Sequence, residues 1–493
     1  MGSRKVVIIG SGIAGMSTAI RLAVQGFEVN VYESNDYPGG KITFFEKDAY
    51  RFDAGPSLFT QPKNIEELFL LAGESIKDYF NYTPVEVACT YFFENGKKVV
   101  AYTDKEKLAK EFEDQLGENP SRIKDYLSAA EKLYHNIGTI FLNFSLHKRN
   151  TWLHPRILKA ISTVKSAYLF SSLNNYNKSK FKSAEAVQIF NRFATYNGSN
   201  PFKAPGMLSL IPHLEINQGT FYPKGGMISI TDALHKLAVK KGVTFHFNHK
   251  VEKIIHQDKK VNGIIANGKI IEADIVVSNG DVYYTYKNLL NHVSQTNKLL
   301  KLERSSSALI FYWGIKTAFS QLGLHNILFS KNYEQEFDHL FKTSTLTNDP
   351  TIYINITSKM ESNQAPAGCE NWFVMINAPA NVGQDWDKLV NETRKSVVEK
   401  INRILHTNIE NYITSETIMD PVLIEKNTGT FKGSLYGTSS NAIFAAFFRP
   451  ANFNPEIKGL YFCGGTVHPG GGIPLCLKSA SITAALIKTN HGN

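Results

Sequence analysis

The feature that most constrains the fold is a glycine-rich turn near the N-terminus. A short β-branched run, Lys5 to Ile9, leads directly into Gly10-Ser11-Gly12-Ile13-Ala14-Gly15, and apolar residues at helical spacing follow. A second β-branched run, Glu28 to Tyr32, ends next to Glu33. Strand, glycine turn, helix and strand in this order predict a βαβ unit at the start of an α/β fold.

The spacing of the three glycines is typical of a dinucleotide site. Gly10 permits the tight turn, Gly12 lets the backbone approach a pyrophosphate, and Gly15 lets the helix pack closely on the strand. The pyrophosphate would lie at the positive end of the helix, and Glu33 would accept hydrogen bonds from the ribose hydroxyls of the adenosine. The alternative is a glycine turn without a ligand, which the strand before the motif and the acidic residue after it disfavour.

Composition excludes several other classes of protein. The chain has 493 residues, enough to bury a large core, and its four cysteines include no CxxC pair, which argues against a disulfide scaffold, a zinc ribbon or another metal site. No apolar run reaches the length of a membrane-spanning helix, and the apolar N-terminal stretch is too short for a signal peptide. We therefore expect a protein of the cytoplasm.

The formal net charge of +10 is concentrated in one segment. Between Glu131 and Glu185 there are nine basic residues and no acidic ones, which leaves +1 for the rest of the chain. Helical spacing there predicts a basic amphipathic helix that includes Arg156, Ile157, Leu158, Lys159, Ile161, Val164, Lys165, Tyr168 and Leu169.

Two interpretations of this basic segment stay open. It is either a face that lies on an anionic membrane, with Trp152 and Phe170 near the acyl chains, or a helical subdomain whose polar face is basic. Nucleic-acid binding is disfavoured, because no RNA- or DNA-binding motif accompanies the charge.

The remaining pattern predicts interleaved domains. Residues Asp104 to Leu210 are mainly helical, and Thr103 with Glu106 predicts a capping box at their start. Residues 290–450 mix strands with one long helix, Trp386 to Leu405. No linker rich in proline or serine separates these parts, so we expect the domains to be built from alternating segments.

Further motifs indicate which dinucleotide is bound. Pro38-Gly39-Gly40-Lys41 and Phe52-Asp53-Ala54-Gly55-Pro56-Ser57 follow Glu33, and this pairing resembles the flavin-binding sequence of the amine-oxidase-like FAD superfamily. Tyr222-Pro223-Lys224-Gly225-Gly226-Met227 and the run Gly464 to Pro474 are similar to motifs of the bacterial-type phytoene desaturases, the carotenoid desaturases. The resemblance extends from residue 1 to about residue 488.

The resemblance implies an α/β fold in three parts. They are an interrupted Rossmann-like FAD-binding domain of residues 1–80, 215–290 and 455–493, a mixed-sheet substrate-binding domain of residues 81–103 and 291–454, and a helical, membrane-associated region of residues 104–214.

The resemblance also implies which residues bind FAD. They are Gly10, Ser11, Gly12, Ile13, Ala14 and Gly15 at the pyrophosphate, Glu33 at the ribose, Gly40, Lys41, Gly55, Pro56 and Ser57 at the ribityl and phosphate region, Val251 at the adenine, and Gly465, Thr466, Gly472, Ile473 and Pro474 along the flavin. A helix expected from Leu475 to Ile487 would direct its N-terminal N–H groups at the negative charge of the reduced flavin.

The family removes two hydrogens from a carbon–carbon single bond of a polyene, so the chain is expected to be an FAD-dependent carotenoid desaturase. Leu475, Cys476 and Lys478 depart from the usual phytoene desaturase pattern and resemble the subgroup that desaturates the 3,4 bond of 1-hydroxylated carotenoids. The alternatives are a phytoene desaturase acting on earlier intermediates, a flavin oxidase of amines or porphyrinogens, and a non-catalytic prenyl carrier.

The expected partners follow from this chemistry. A long apolar carotenoid needs an apolar tunnel rather than charged groups. The chain has one GxGxxG motif, so electrons are expected to pass to an acceptor such as oxygen or a quinone rather than to come from a nicotinamide. A lipid-soluble substrate also favours the membrane interpretation of the basic segment, with the protein peripherally bound.

Three residues are candidates for catalysis. Glu215, before the YPKGGM turn, and His468, beside the C-terminal glycine run, are candidate bases, and Arg192 is a candidate to orient a terminal hydroxyl. For each, a structural hydrogen bond is the competing interpretation. Cys463 and Cys476 are expected to be small buried residues.

Overall fold

The glycine motif joins a strand to a helix in the computed structural model, which describes residues 4–155, 157, 166–442 and 449–492. Strand β1 (Lys5–Ile9) is followed by helix α1 (Ile13–Val24) and strand β2 (Glu28–Tyr32). β1 and β2 are parallel neighbours, with the helix as their crossover connection. The predicted βαβ unit is therefore confirmed.

Within the described residues the sheets, two large and three small, also contain eighteen further strands. They are β3 (Thr43–Lys47), β4 (Tyr50–Ala54), β5 (Phe59–Thr60), β6 (Tyr82–Val85), β7 (Val87–Phe92), β8 (Lys98–Tyr102), β9 (Thr220–Pro223), β10 (Thr244–His246), β11 (Val251–Gln257), β12 (Lys260–Ala266), β13 (Lys269–Glu272), β14 (Ile275–Ser278), β15 (Ser307–Ile315), β16 (His325–Leu328), β17 (Ile352–Ile356), β18 (Glu370–Ala378), β19 (Ile413–Met419) and β20 (Leu460–Phe462).

The five-stranded sheet is parallel throughout, in the order β10-β2-β1-β14-β20. Its strands come from the three chain segments that the sequence assigns to FAD binding. The seven-stranded sheet, β19-β15-β18-β17-β16-β7-β8, is antiparallel except where β16 meets β7. Its strands come from the segments assigned to the substrate, and the domain limits themselves stay a prediction.

The further helices of the described residues are α2 (Lys63–Leu71), α3 (Lys105–Leu116), α4 (Pro120–Leu133), α5 (Thr139–Asn143), α6 (Arg149–Trp152), α7 (Ser166–Phe170), α8 (Leu173–Lys178), α9 (Ala184–Asn191), α10 (Ile228–Lys240), α11 (Val282–Tyr284), α12 (Val293–Leu300), α13 (Tyr333–Asp338), α14 (Trp386–Leu405), α15 (Pro421–Thr428) and α16 (Ile473–His491). α1, α10 and α16 share one core with the parallel sheet. α14 packs on one face of the seven-stranded sheet, and α3, α4, α8 and α9 pack at its β7–β8 end.

The start of α3 corrects the predicted capping box by one residue. The Asp104 carboxylate accepts the N–H groups of Glu106 and Lys107, both at 2.9 Å. Thr103 instead donates its hydroxyl to the carbonyls of Val85 and Glu86, which lie in and just after β6. The prediction that Thr103 caps the helix is wrong, because Asp104 is one residue nearer and carries a better acceptor.

Most of the predicted basic amphipathic helix lies outside the described residues, namely Arg156, Leu158, Lys159, Ile161, Val164 and Lys165. On either side of that gap, the side chains of Leu153 and Phe170 are 74% and 79% exposed, and Ile157 is buried. The membrane face therefore stays a prediction. Within the described ranges, no helix is both long enough and apolar enough to cross a bilayer.

Candidate dinucleotide and substrate site

The glycine turn after β1 has a backbone shape that side chains would prevent. Gly10 has a φ of +93°, and its N–H donates to the Tyr32 carbonyl at 2.8 Å. A Cβ on Gly15 would lie 2.3 Å from the Gly10 carbonyl oxygen, and one on Gly12 would lie 2.9 Å from Asn279 Nδ2. Helix α1 begins directly after the turn, and no side chain caps it. Its first N–H groups are available to an anionic ligand.

Glu33 is oriented by its neighbours at the end of β2. Its Oε2 accepts the N–H and the hydroxyl of Ser11, both at 2.8 Å, and its Oε1 accepts the N–H of Asn35 at 3.0 Å. Glu33 lines the cavity described below, but Ser11 is fully buried and is not among its lining residues. In this geometry both donors of Ser11 are used by Glu33, so Ser11 orients Glu33, and its contact with the pyrophosphate stays a prediction.

The turns at PGGK and FDAGPS pack on each other beside the glycine turn. Gly55 has a φ of +132°, and a Cβ there would lie 1.9 Å from the Lys41 carbonyl oxygen. Lys41 Nζ donates to the Leu435 carbonyl at 3.0 Å. Loss of solvation lowers the pKa of Lys41, and the charge of Asp281 partly offsets this.

Asp53 connects the FDAGPS turn to the YPKGGM turn. Its two carboxylate oxygens accept the Met227 N–H at 3.2 and 3.1 Å. Burial raises the pKa of Asp53 to about 6, and the hydrogen bond from Met227 and the charge of Arg51 partly oppose this. The aspartate of the motif therefore fixes two turns together and does not line the cavity.

The C-terminal glycine run forms another wall. Helix α16 begins at Ile473, two residues before the predicted start, after Gly472 with a φ of +97°. The Thr466 hydroxyl oxygen accepts the Val282 N–H at 3.1 Å. Because Gly472, Ile473 and Pro474 line the cavity, the positive end of α16 faces it.

These walls surround a cavity of about 1310 Å³. The predicted FAD contacts that line it are Gly10, Gly12, Ile13, Ala14, Glu33, Gly40, Lys41, Gly55, Pro56, Ser57, Val251, Gly465, Thr466, Gly472, Ile473 and Pro474. Gly15 lies behind the turn, where it lets α1 approach Gly10. The volume is above the roughly 300–1,000 Å³ of a pocket for one small ligand, as expected where a cofactor and a substrate share a site.

Asn279 lines the cavity although no motif predicted it. It directly follows β14, which is parallel to β1, and its N–H donates to the Ile9 carbonyl at 2.8 Å. The sequence holds a signal for it, a β-branched run followed by Asn279-Gly280-Asp281. Since parallel strands end at a common edge, such a run could have placed Asn279 beside the glycine turn.

Arg192 and Glu215 form an ion pair at the cavity wall. Arg192 Nη2 donates to Glu215 Oε1 at 2.7 Å, and the two side chains are only 10% and 2% exposed. The Tyr196 hydroxyl donates to the other carboxylate oxygen. Burial raises the pKa of Glu215, and the charge of Arg192 opposes this. Two of the three candidate catalytic residues are therefore brought together beside the cavity.

His468 lies away from the cavity. It is fully buried, its Nε2 donates to the Phe144 carbonyl at 2.9 Å, and its ring meets Phe141 edge-on. Burial lowers the pKa of His468 to about 4, so the ring is neutral near pH 7. The geometry favours the structural interpretation, a link between the glycine run and α5, over a role as base.

A smaller, apolar cavity of about 150 Å³ lies between the helical region and the glycine run. Its apolar lining includes Ile137, Phe141, Leu142, Met207, Leu208, Ile211 and Leu214. It shares wall residues with the large cavity, namely Thr60, Tyr196, Glu215, Gly471, Gly472 and Pro474. The two cavities therefore adjoin at Glu215 and at the start of α16.

All four cysteines are free thiols. Cys463 is buried as predicted, whereas Cys476 is half-buried and lines the large cavity. Among the residues that the structure describes, no three His, Cys, Asp or Glu side chains are grouped so that they could hold a metal ion.

Parallel strands whose carboxyl ends face a glycine-lined cavity are how dinucleotide-binding oxidoreductases hold their cofactor, and this chain is of that class. The chain belongs to the family described as flavin containing amine oxidoreductase, which matches residues 13–488. FAD is accordingly the cofactor, and uncapped α1, Glu33 and the tight glycine turns fit a bound dinucleotide.

Individual relatives agree with this assignment. The chain is 49% identical, over 99% of its length and 100% of the relative's, to the 1-hydroxycarotenoid 3,4-desaturase of Flavobacterium sp. (strain P99-3). It is 29% identical, over 99% of its length and 86% of the relative's, to the phytoene desaturase of Phycomyces blakesleeanus. A solved oxidoreductase from Methanosarcina mazei has a TM-score of 0.65 and 18% identity, covering 98% of this chain and 100% of that one. The structural likeness confirms the predicted fold alone.

Proposed function

We propose that the protein is an FAD-dependent carotenoid desaturase that acts on the 3,4 bond of a 1-hydroxylated carotenoid. The observation that carries this proposal is the small apolar cavity beside the helical region, which adjoins at Glu215 the large cavity that the predicted FAD contacts line. In the proposed arrangement the small cavity is part of an apolar route to the large one. The 49% identity to a 1-hydroxycarotenoid 3,4-desaturase supports the choice of bond and substrate over the phytoene desaturase alternative, where the identity is 29%.

The apolar route suits a polyene. A hydrocarbon chain has no group that a charge could hold, so its binding comes from leaving water for an apolar wall. The walls of the smaller cavity have this character, with Ile137, Met207 and Ile211 among them. In this arrangement the polyene lies along the helical region, and its end group reaches the large cavity that the predicted FAD contacts line.

Desaturation removes a hydride from one carbon and a proton from its neighbour, and FAD accepts the hydride when it is bound. The N–H groups at the start of α16, after Gly472, stabilise negative charge on that side of the cavity. Glu215 is the candidate acceptor of the proton, because it is at the junction and its raised pKa favours proton binding. Arg192 holds the carboxylate in one orientation at 2.7 Å.

The test is flavin reduction without oxygen. Purified protein with FAD is mixed with a 1-hydroxylated carotenoid, with phytoene, and with a set of amines and a porphyrinogen, while the absorbance of the oxidised flavin is followed. We expect bleaching with the hydroxylated carotenoid, and a product lighter by two hydrogens. Bleaching by phytoene, amines or porphyrinogen alone would select the corresponding alternative, and protein that takes up no FAD would select the carrier.

We also propose peripheral association with the cytoplasmic face of a membrane through the basic segment. Exposed Leu153 and Phe170 lie within that segment, which has nine basic and no acidic residues between Glu131 and Glu185. Replacing Lys148, Arg149, Arg156 and Lys159 by glutamine should weaken binding to anionic vesicles and reduce its salt dependence. The matched control replaces Lys253, Lys259, Lys260 and Lys269, exposed lysines in or between β11, β12 and β13. Equal binding by both variants would contradict the docking proposal.

The electron acceptor is proposed to be oxygen or a quinone. Enzyme reduced by its substrate is mixed with oxygenated buffer or with a soluble quinone, and the return of oxidised flavin is timed. Reoxidation by one of them within the time of a catalytic turnover identifies the acceptor. Failure of both would contradict the proposal.

A further inference from the structure

The side chain of Asn279 lies between the turns that follow two strands of the parallel sheet. Asn279 directly follows β14, which is paired with β1 on one side and with β20 on the other. A Cβ on Gly12, after β1, would lie 2.9 Å from Asn279 Nδ2, and one on Gly464, after β20, would lie 3.8 Å from Asn279 Oδ1. Because parallel α/β sheets bind their ligands outside the carboxyl ends of the strands, Asn279 is at the position where a ligand is expected.

The orientation of the Asn279 amide is set by Cys463, the residue after β20. Cys463 Sγ donates a hydrogen bond to Asn279 Oδ1, with the two atoms 3.7 Å apart. Burial raises the pKa of Cys463 to about 12, so the thiol keeps its proton near pH 7. Since the amide oxygen faces the thiol, the two N–H donors are on Nδ2, the atom that lies beside Gly12.

Asn279 Nδ2 is open to the large cavity and has donors to spare. No residue in the described part of the chain accepts a hydrogen bond from it, yet it does not belong to the unpaired polar atoms that the protein encloses completely. The side chain is half-buried and lines the cavity together with Gly10 and Gly12. Both N–H donors of Nδ2 are therefore available to a ligand in that cavity.

The surroundings of this amide favour an anion as the ligand. Helix α1 begins directly after Gly12 without a side-chain cap, so the positive end of the helix and its first N–H groups lie at the same turn. The nearest carboxylate in sequence, Asp281, accepts the N–H groups of Tyr283 and Phe431 instead. A hydrocarbon offers no acceptor to an amide N–H, whereas each pyrophosphate oxygen of FAD does.

We propose that Asn279 Nδ2 donates a hydrogen bond to a pyrophosphate oxygen of FAD, and that Cys463 is the positioning residue that holds the amide in this orientation. The inference rests on FAD as the cofactor and on the predicted place of its pyrophosphate beside Gly12. It goes beyond the proposed function, because it assigns cofactor binding to two side chains outside the glycine motifs and holds for any substrate.

The test measures the dissociation constant of FAD for the full chain, from the change in flavin fluorescence during titration. ADP and adenosine, which differ by the diphosphate, are then used as competitors of FAD. In Asn279→Ala, FAD should bind about 10-fold more weakly or worse, the effect of losing one hydrogen bond to a charged group. ADP should lose affinity by a similar factor, and adenosine should not. In Asn279→Asp the loss should be larger, because a negative charge replaces the donor.

The matched control is Asn377, a half-buried asparagine in β18 that lines the same cavity on the seven-stranded sheet. We expect Asn377→Ala and Asn377→Asp to leave the affinities for FAD and ADP nearly unchanged. The positioning role is tested by Cys463→Ala, which should weaken FAD binding, and by Cys463→Ser, whose hydroxyl can donate to Asn279 Oδ1 and should restore most of the affinity.

The ratio of ADP to adenosine affinity keeps the test valid where a variant is less stable. An Asn279→Ala variant that loses affinity for ADP and adenosine equally would show a structural role and overturn the contact with the pyrophosphate. Unchanged FAD binding in Asn279→Ala would overturn it as well. Equal FAD affinities in Cys463→Ala and Cys463→Ser would overturn the positioning role. None of these results bears on the carotenoid substrate, so they are distinguishable from a failure of the proposed function.

Discussion

The wall of the large cavity at the predicted FAD contacts, here called the FAD wall, and the wall at Arg192, here called the side-chain wall, are built in different ways. The FAD wall consists of backbone turns, in which Gly10, Gly15 and Gly55 allow approaches that any Cβ would block. The side-chain wall consists of the side chains of Arg192, Glu215 and His325. They come from separate segments of the chain. A wall of turns leaves a short motif in the sequence, whereas a wall of side chains depends on how distant segments pack.

The two walls also differ in how their polar groups are paired. At the FAD wall, Glu33 and Asp53 are held by backbone N–H groups of neighbouring turns. At the other wall, Arg192 and Glu215 neutralise each other while buried, which is costly to disturb. Substitutions of Arg192 or Glu215 on the side-chain wall should therefore act by leaving a buried charge unpaired. Substitutions of the glycines on the FAD wall should act by steric overlap.

The largest effect is expected from Arg192→Met, which leaves the buried Glu215 carboxylate without its cation. The free energy of unfolding should fall by about 3–5 kcal/mol, measured by denaturant unfolding of the FAD-loaded protein. The control is Lys110→Met, which breaks exposed pairs with Glu113 and Asp114 and should leave the free energy of unfolding nearly unchanged. The double variant Arg192→Met/Glu215→Leu should regain most of the loss, and equal values for Arg192→Met and the control would contradict the prediction.

On the FAD wall, Gly15→Ala should reduce the free energy of unfolding by about 1–3 kcal/mol and also reduce FAD content. The added Cβ would lie 2.3 Å from the Gly10 carbonyl oxygen, so α1 has to move away from the turn. Gly323→Ala is the matched control, because its Cβ would meet only Thr90 Oγ1, at 3.9 Å. FAD per protein is read from the flavin absorbance, and full occupancy in Gly15→Ala would refute the close packing.

The stability contributions of His325, on the side-chain wall, and of Asp53, which holds a turn of the FAD wall, should change with acid in opposite directions. His325 has a folded pKa of about 3, below that of an unfolded histidine, so its contribution to stability is present above about pH 6.5 and is lost as the pH falls, at up to about 1.4 kcal/mol per pH unit. Asp53 has a folded pKa of about 6, above its unfolded value, so its contribution is present below about pH 4 and is lost as the pH rises through 6.

Unfolding at pH 7 and at pH 5 measures both responses. His325→Gln should lose less stability between pH 7 and pH 5 than the wild type, and Asp53→Asn should lose more. A His325→Gln variant with an unchanged pH response would contradict a neutral, buried imidazole at this position.

The smallest effect concerns a local signal in the helical region. Asp104→Ala should lower the free energy of unfolding measurably, because it removes the acceptor of two N–H groups at the start of α3. Glu106→Gln, the other member of the predicted capping box, should change the free energy of unfolding by a few tenths of a kcal/mol at most. Equal losses in the two variants would restore the capping box.

Local elements were predictable from the sequence, and contacts between distant segments were not. The bounds of β1, β2 and α14 agree with the prediction, because hydrophobic periodicity decides them within one segment. The capping box at Thr103 was wrong because the next residue, Asp104, caps the helix, while the carbonyls of Val85 and Glu86 occupy the threonine hydroxyl.

At the site, the same division applies. Most of the predicted FAD contacts line the large cavity, because glycines at fixed spacing indicate a backbone shape. The hydrogen bonds of Ser11 to Glu33 were not predicted, because Glu33 becomes a neighbour of Ser11 only when β1 and β2 pair. His325 and Asn279 carry no motif, since their positions depend on the order of strands in two sheets.

The order of strands in the parallel sheet has a consequence for how the protein is made. β1 and β2 are translated first, but β20, the outer neighbour of β14, and the helix α16 behind the cavity are translated last. At ordinary translation rates the interval is on the order of a minute. The cofactor site therefore stays incomplete until β20 and α16 have been made, and the N-terminal βαβ unit has to remain unaggregated during that interval.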